Sequence, residues 1–449
     1  MNLNEIQLGY IAHLAAVGLL YAALLMPPSI LSHTKLALAF LPPIWGCHVY
    51  SWSVGLGFLA AIQVLWATEL LLFRYPREKF QVIHRRDLGS TSPNPKGDMD
   101  ATSQKGKESE KDNKKEQSRI WKEPYPTNFW KRFWWVFKLL VSMRYVGWDI
   151  GDMKTTVPRR RQSYISWLLR NILFVGICFS LVDAMNFYQH FDPYFQIETN
   201  IDEAFPRGLD GFLTRYHLSF LPPRLLRITV LGFQLYAIFT VINSVMAIIH
   251  VTLGGLGILD DFWGGMENWP PLMGNPLVVL DSGLRGFWGR FWHQLFRNVR
   301  DFNVDVELNS NDSQLLIGPA KALAAVLRVP PKSLPAYIIQ VVLAFILSGA
   351  IHAASLPRNI PNVSPLRYAS FFWIQGACVL AEIALEQVLV LQGSGELRPL
   401  WVRSCLAVAR LAWTVGILYF TVPVGADELM KVARIVGPPP VFLFPLPKK

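Results

Sequence analysis

Residues 334–354 read LPAYIIQVVLAFILSGAIHAA, a run of 21 residues with no aspartate, glutamate, lysine or arginine. A helix of this length rises about 30 Å, which matches the hydrocarbon thickness of a bilayer. The run therefore predicts a transmembrane helix. It contains one histidine, His352, close to its carboxyl end, and an ionisable side chain inside a membrane is costly and by default suggests a functional site.

Similar apolar runs recur along the chain, which has 449 residues, of which 52% are hydrophobic and only 17% are charged. Soluble proteins carry about 25% charged residues, so this composition argues against a soluble enzyme. We predict an all-α polytopic helical membrane protein with about 7–9 transmembrane helices that enclose an intramembrane chamber. The other predicted spans are 8–26, 53–73, 164–185, 228–250, 368–391 and 405–422, with a weaker one at 36–50 that Pro42 and Pro43 would kink or split.

Much of the charge is concentrated in the segment between the spans at 53–73 and 164–185. Basic residues flank both membrane ends of this segment, so the positive-inside rule places it in the cytoplasm. Its middle, about 85–122, mixes many lysines with acidic residues and has almost no hydrophobic ones, which predicts partial disorder. The net charge of +11 indicates attraction to the lipid bilayer, and nothing in the loop favours nucleic acid.

This topology divides the chain into four predicted regions. They are N-terminal transmembrane helices (1–73), a basic cytoplasmic loop (74–163), a core (164–425) and a C-terminal tail (426–449). By alternation, 251–333 is cytoplasmic, whereas 188–227 and 357–367 are lumenal.

The sequence lacks the common motifs of acyl, phosphoryl and redox chemistry. It has no HxxxD motif, nucleophile elbow, P-loop, dinucleotide fingerprint or HExxH motif. The four cysteines lie singly, without a CxxC pair, so neither a zinc site nor a thioredoxin-type motif is indicated. We predict no metal site and no bound cofactor.

One motif, FWGRFWHQLFRNVR at 287–300, combines aromatic and cationic residues. At helical spacing this predicts an amphipathic helix of about fourteen residues. Its apolar face would carry Trp288, Phe291, Trp292, Leu295 and Val299, and its polar face Arg290, His293, Arg297 and Arg300. Such a helix is at home in the membrane interface, but its arginines could equally receive the phosphates of a soluble donor. The two interpretations are compatible.

The surroundings of His352 favour a functional role for it. Ser348 and Gly349 lie one turn back on the same helix face and leave room for a substrate or another helix. A neutral imidazole there could accept a proton, although a helix-end histidine bonded to a lumenal loop is the alternative. Glu382 shares a helix face with Glu386 and could orient His352, but a salt bridge to an arginine explains both carboxylates equally well.

The motif FWGRFWHQ, followed about sixty residues later by FILSGAIH, resembles the wax synthase-like branch of the membrane-bound O-acyltransferase family. Two further fragments support the resemblance, MRYVGWD at 143–149 and NWPPLMG at 268–274. The similarity covers roughly 144–422. Gly286 stands where plant-like wax synthases resemble LRDFW with an acidic residue, and this departure disfavours a wax-ester substrate. Fungal members similar to this sequence are acetyltransferases of terpenoids and related secondary metabolites.

This resemblance implies an acyl-CoA-dependent O-acyltransferase, with acetyl-CoA as the favoured co-substrate and a hydrophobic alcohol such as a terpenoid as acceptor. His352 matches the catalytic histidine of the family. His293, or Asn298 five residues on, would donate a hydrogen bond to the developing oxyanion. The endoplasmic reticulum is the expected location. A long-chain wax-ester synthase and a non-enzymatic transporter or scaffold remain alternatives.

Substrate binding is predicted at residues of both motifs. Arg290 and Arg297 would hold the phosphates of CoA at the cytoplasmic mouth. The remaining predicted substrate-binding residues are Trp288, Trp292, Ser348 and Glu382.

Overall fold

The computed structural model describes residues 3–52, 56–85, 120–142, 144–150, 163–292, 316, 318–357, 360–388, 399–437 and 439–443. Helices dominate this part of the chain, and its strands form one small sheet. The helices are α1 (Leu3–Leu25), α2 (His33–Ser51), α3 (Gly57–Thr68), α4 (Pro76–Lys79), α5 (Phe129–Leu140), α6 (Tyr164–Gln189), α7 (Arg207–Arg215), α8 (Pro223–Gly255), α9 (Asp261–Gly264), α10 (Val278–Gly286), α11 (Gly318–Val326), α12 (Leu334–Ala354), α13 (Pro365–Val388) and α14 (Leu400–Val436). π-helices continue α3 (Glu69–Phe73) and α10 (Phe287–Phe291), and 3-10 helices lie at Pro193–Phe195 and Met266–Asn268.

Six of these helices are long and apolar enough to cross a membrane, namely α1, α6, α8, α12, α13 and α14. The predicted all-α polytopic class is therefore confirmed. The shorter apolar helix Gly57–Phe73 and the 19-residue α2 lie at the two other predicted spans. Pro42 and Pro43 fall inside α2, which runs unbroken past both, so this span is not split.

Described parts of the predicted cytoplasmic loop contact the α1–α2 connection and form a small sheet. The buried Arg77 donates hydrogen bonds of 2.8 and 3.1 Å to the carbonyls of Met26 and Leu31, in the α1–α2 connection. Strand β1 (Gln81–Arg85) pairs antiparallel with β2 (Ile120–Glu123) and β3 (Trp148–Asp149), in the order β2-β1-β3. Most of the segment predicted to be partly disordered, about 85–122, lies outside the described residues; at its two ends, Arg85 belongs to β1 and 120–122 belong to β2.

Polar contacts tie the opposite end of the bundle together. Asp183 accepts backbone hydrogen bonds of 2.7 Å from both Phe442 and Leu443, and the Asn186 side chain donates one of 2.9 Å to the Pro440 carbonyl. The last described residues are thereby fastened to α6. Helix α14 is continuous from Leu400 to Val436, so no helix end coincides with the predicted boundary at 425.

Candidate functional site

His352 lies in the last turn of α12 and its ring orientation is fixed by its own helix. The imidazole Nδ1 is 2.8 Å from the Ser348 carbonyl oxygen, one turn back. Because a carbonyl only accepts hydrogen bonds, this contact assigns the proton of a neutral ring to Nδ1. Nε2 then carries the lone pair. The ring is therefore oriented to accept a proton at Nε2.

Aromatic rings surround this imidazole. Phe372 of α13 stacks on it with ring centroids 4.0 Å apart and planes 26° apart. Tyr368 of α13 and Phe58 of α3 approach edge-on, at 6.1 and 6.3 Å. In the part of the chain that the structure describes, the Ser348 carbonyl is its hydrogen-bond partner and no carboxylate contacts it.

The space beside Gly349 is filled by helix α13. A Cβ at this position would lie 3.0 Å from the Ala369 carbonyl oxygen and 2.7 Å from Trp373 Nε1. Only glycine allows α12 and α13 to approach so closely. Of the two occupants considered from sequence, a substrate or another helix, the structure places a helix there, and this close packing brings Phe372 against His352.

The aromatic, cationic motif forms a shorter element than its spacing predicts. Phe287–Phe291 is a π-helix, and Trp292 is extended (φ −66, ψ 141). The predicted helix of about fourteen residues is therefore wrong, because the helical backbone ends after Phe291. The predicted site residues His293, Arg297 and Asn298 lie outside the described residues.

Trp288 connects this motif to the surroundings of His352. Its ring centroid is 6.2 Å from that of Phe372, the residue that stacks on His352. Its indole N–H donates a hydrogen bond of 3.0 Å to the Gln375 side-chain oxygen. Gln375 is fully buried (0% exposed) and in turn donates a hydrogen bond of 2.5 Å to Thr421 of α14. The two sequence motifs thus meet at helix α13.

Two other predicted substrate-binding residues of the motif contact their own segment. Trp292 stacks on Phe287 with ring centroids 5.7 Å apart and planes 16° apart. The Arg290 guanidinium donates a hydrogen bond to the Ser282 hydroxyl of α10. The first contact lies within the motif, and the second joins the motif to α10.

Glu382 fastens the backbone just before the motif. Its two carboxylate oxygens accept backbone hydrogen bonds from Leu284 (2.7 Å) and Arg285 (3.1 Å). The preceding residue, Gly283, has φ 53, a left-handed conformation that glycine adopts without penalty, and kinks α10. Glu386, one turn on, pairs with Arg285 and with Arg410 of α14 at 3.3 and 2.9 Å. The salt-bridge interpretation therefore describes Glu386, whereas Glu382 binds backbone and does not contact His352.

Glu382→Gln is expected to lower the free energy of unfolding by about 1–3 kcal/mol, because an amide has one acceptor oxygen and would leave a buried backbone N–H unpaired. Thermal unfolding in detergent measures the effect. Glu198→Gln, at an exposed position, is the matched control and should change stability by less than about 0.5 kcal/mol. Unchanged stability together with a raised KM would instead support the substrate-binding role predicted from the sequence.

The two sequence fragments that support the family resemblance also lie near the aromatic motif. Arg144 donates hydrogen bonds of 3.2 and 3.1 Å to the carbonyls of Pro270 and Pro271. Burial lowers the pKa of Arg144 to about 10, so the guanidinium remains charged at neutral pH. The Gly274 N–H donates a hydrogen bond of 2.8 Å to the Phe291 carbonyl. The fragments at 144–149 and 268–274 therefore lie next to each other and against the π-helix.

Sequence reasoning missed three residues that define this site. Phe58 and Phe372 surround the imidazole, but a phenylalanine in an apolar span gives no signal that separates it from a lipid-facing one. Gln375 did carry a signal, because it is an amide inside the predicted span 368–391 and buried amides need partners. Among the described residues, no group of three or more His, Cys, Asp or Glu side chains could hold a metal ion.

Comparison with protein families gives one match at the site. Residues 269–374 match the membrane bound O-acyl transferase family. The matched segment contains the FWGRFW motif, His352 and Phe372. The resemblance predicted from the sequence is therefore confirmed for the segment that carries both motifs.

Three fungal proteins are similar to this chain. An O-mevalon transferase of Penicillium terrestre is 25% identical over 266 residues, covering 56% of this chain and 53% of that protein. An acetyltransferase of Aspergillus terreus (strain NIH 2624 / FGSC A1156) is 31% identical over 112 residues, covering 24% of this chain and 28% of that protein. An acetyltransferase of Hericium erinaceus is 23% identical over 312 residues, 66% of this chain and 67% of that protein. The chain thus spans about half the length of the first relative and less of the second, and no solved structure matches it significantly.

Proposed function

We propose, from the match of residues 269–374 to the membrane-bound O-acyl transferase family, that this chain transfers an acyl group from acyl-CoA to a hydroxyl inside the membrane. The observation that carries the proposal is that one side chain, Phe372, lies between the two family motifs. Phe372 contacts Trp288 of the first motif and stacks on His352 of the second. The Ser348 carbonyl leaves the imidazole oriented as a base.

His352 acts as the general base of a direct transfer. Nε2 takes the proton of the acceptor hydroxyl as its oxygen attacks the thioester carbonyl. The tetrahedral intermediate collapses with cleavage of the carbon–sulfur bond, and the thiolate of CoA leaves and recovers the proton from the imidazolium. The Ser348 carbonyl, which accepts from Nδ1, keeps the ring in place while its charge changes. No covalent acyl-enzyme is formed.

The aromatic rings around His352 have two effects in this reaction. They exclude water, which would otherwise compete with the acceptor for the acyl group. The face of Phe372, 4.0 Å from the imidazole centroid, also favours the imidazolium through a cation–π interaction. A carboxylate partner is thus not needed for the base to become charged. His293 or Asn298 is proposed to bind the oxyanion, and Arg290 and Arg297 the phosphates of CoA.

We assign acetyl as the favoured acyl group and a hydrophobic alcohol, such as a terpenoid, as the acceptor. Two of the similar proteins are named acetyltransferases, which supports the short acyl group. An acceptor of this kind partitions into the bilayer and reaches an intramembrane base from there. The endoplasmic reticulum is the proposed location.

The test uses membranes that contain the protein, radiolabelled acetyl-CoA or palmitoyl-CoA, and a panel of terpenoid, sterol and long-chain alcohols. We expect a labelled ester with acetyl-CoA and a terpenoid alcohol. Ester formation only from palmitoyl-CoA and long-chain alcohols would identify a wax-ester synthase. Absence of transfer from either donor by folded protein would contradict an enzymatic role.

Phe372→Leu is expected to lower kcat by about 10-fold with little change in KM, because the imidazole loses the aromatic face that stabilises its charged form. Ser348→Ala is the matched variant and should retain the wild-type rate, since the backbone carbonyl and not the hydroxyl holds Nδ1. Initial rates at several acceptor concentrations separate kcat from KM. If Ser348→Ala instead raised KM strongly, the Ser348 hydroxyl would bind substrate, as its position in the motif predicts.

A further inference from the structure

Helix α5 (Phe129–Leu140) carries an exposed aromatic stripe that is not part of the candidate site described above. Trp130, Trp134, Phe137 and Val141 follow each other at spacings of four, three and four residues, so they share one helix face. Trp130 is 68% exposed and Trp134 is 58% exposed. On the other side, Trp135, Val136 and Leu139 are fully buried. The helix therefore has two apolar faces, of which one is buried and the other is exposed apart from a contact of Phe137 with Trp263.

The position of α5 relative to a membrane helix is fixed by hydrogen bonds. Arg132 donates a hydrogen bond of 3.1 Å to the carbonyl of Leu25, the last residue of the membrane-spanning helix α1. The Tyr21 hydroxyl, one turn further inside α1, donates a hydrogen bond to the Phe133 carbonyl. One helical turn rises about 5.4 Å. The first turn of α5 thus lies at the depth at which α1 leaves the bilayer.

The charges of α5 are all positive. The helix contains Lys131, Arg132 and Lys138 and no acidic residue. Lys138 is paired with Asp260, at 2.7 Å, whereas Lys131 is exposed beside the aromatic stripe. Tryptophan at the boundary with basic residues nearby is the composition of a helix that lies in the interface of a bilayer with anionic lipids.

We propose that the stripe of Trp130, Trp134, Phe137 and Val141 inserts into the interfacial region of the cytoplasmic leaflet. The partner of this surface is the lipid bilayer itself. Insertion of the stripe holds the cytoplasmic loop against the membrane. This loop contains the three-stranded sheet and Arg144. The proposal depends on the membrane-spanning fold and on the cytoplasmic orientation of this loop, and not on the acyl transfer proposed above.

The test places an environment-sensitive fluorophore on Trp134→Cys in a full-length variant whose four native cysteines are replaced by alanine. The protein is reconstituted in nanodiscs of phosphatidylcholine and phosphatidylserine. The lipids carry a quencher either near the headgroup or deep in the acyl chain. Leu173→Cys, 66% exposed in the middle of α6, is the deep control, and Asp202→Cys, in the α6–α8 connection, is the aqueous control.

We expect blue-shifted emission at position 134 and stronger quenching by the shallow than by the deep quencher. Position 173 should show the reverse order, and position 202 should be quenched by aqueous iodide. Efficient quenching of position 134 by iodide would show that the stripe faces water and would overturn the proposal. Quenching by neither lipid nor iodide would show that another protein segment covers it, with the same consequence. The same quenching measurements on Trp130→Cys test the proposal independently.

Discussion

His352→Ala is expected to reduce the rate of acyl transfer by about 10²- to 10⁴-fold, the contribution of a positioned general base. The imidazole Nε2 is the group that takes the hydroxyl proton, and alanine provides no substitute. The measurement is the initial rate of labelled ester formation, normalised to the amount of inserted protein. KM for acyl-CoA should change little, because the donor phosphates are assigned to other residues.

His250→Ala is the matched control for this variant. His250 also lies in a membrane helix, with Nδ1 2.8 Å from the carbonyl of Met246, one turn back, and it packs against Trp269 at 4.6 Å. It differs from His352 in its ring neighbours, which are Trp263 and Trp269. We expect a rate near that of the wild type. A similar loss in both variants would indicate a general effect on folding rather than removal of a base.

Asp192→Asn is expected to lower the free energy of unfolding by about 3–5 kcal/mol, the cost of removing one partner of a buried ion pair. Asp192 is 0% exposed and receives two hydrogen bonds of 2.8 Å from Arg227, which is 1% exposed. The arginine also donates bonds of 2.8 Å to the carbonyls of Ile201 and Glu203. An uncharged partner leaves this guanidinium buried without a counter-charge.

The control for the buried pair is an exposed pair at the same end of the bundle. Asp202 pairs with Arg224, and 47% of the Asp202 side chain is exposed. Asp202→Asn should therefore cost only about 0–1 kcal/mol. Reversible unfolding of both variants in mixed micelles compares the two costs. Equal losses would contradict the expectation that the buried pair of Arg227 and Asp192 contributes more to stability than the exposed pair of Arg224 and Asp202.

The membrane fold could be predicted from the sequence because its signal is local. The length and hydropathy of a run such as 334–354 can be read directly from the sequence, and a segment that crosses a bilayer has few alternatives to a helix. His352 could be identified for the same reason, since one ionisable residue stands out in an apolar run. The fold class and the catalytic candidate could therefore be predicted without knowing which helices are neighbours.

The surroundings of His352 could not be predicted, because they depend on contacts between distant segments. Glu382 accepts a hydrogen bond from the backbone of Leu284, 98 residues earlier in the chain, and neither orienting His352 nor a salt bridge, the two roles considered from the sequence, describes this contact. Phe372 and Phe58 reach the imidazole only through the packing of α3, α12 and α13. Periodicity also failed for the motif that begins at Phe287, because the helical backbone continues only to Phe291 and Trp292 is extended.

The central claim is tested most directly by following both products of one reaction. Purified protein in nanodiscs is given acetyl-CoA and an accepted alcohol, and free thiol and ester are measured in the same sample. The account predicts one thiol released for each ester formed, dependent on the alcohol, in the wild type and almost none in His352→Ala. Undiminished, coupled release of thiol and ester by His352→Ala would contradict it.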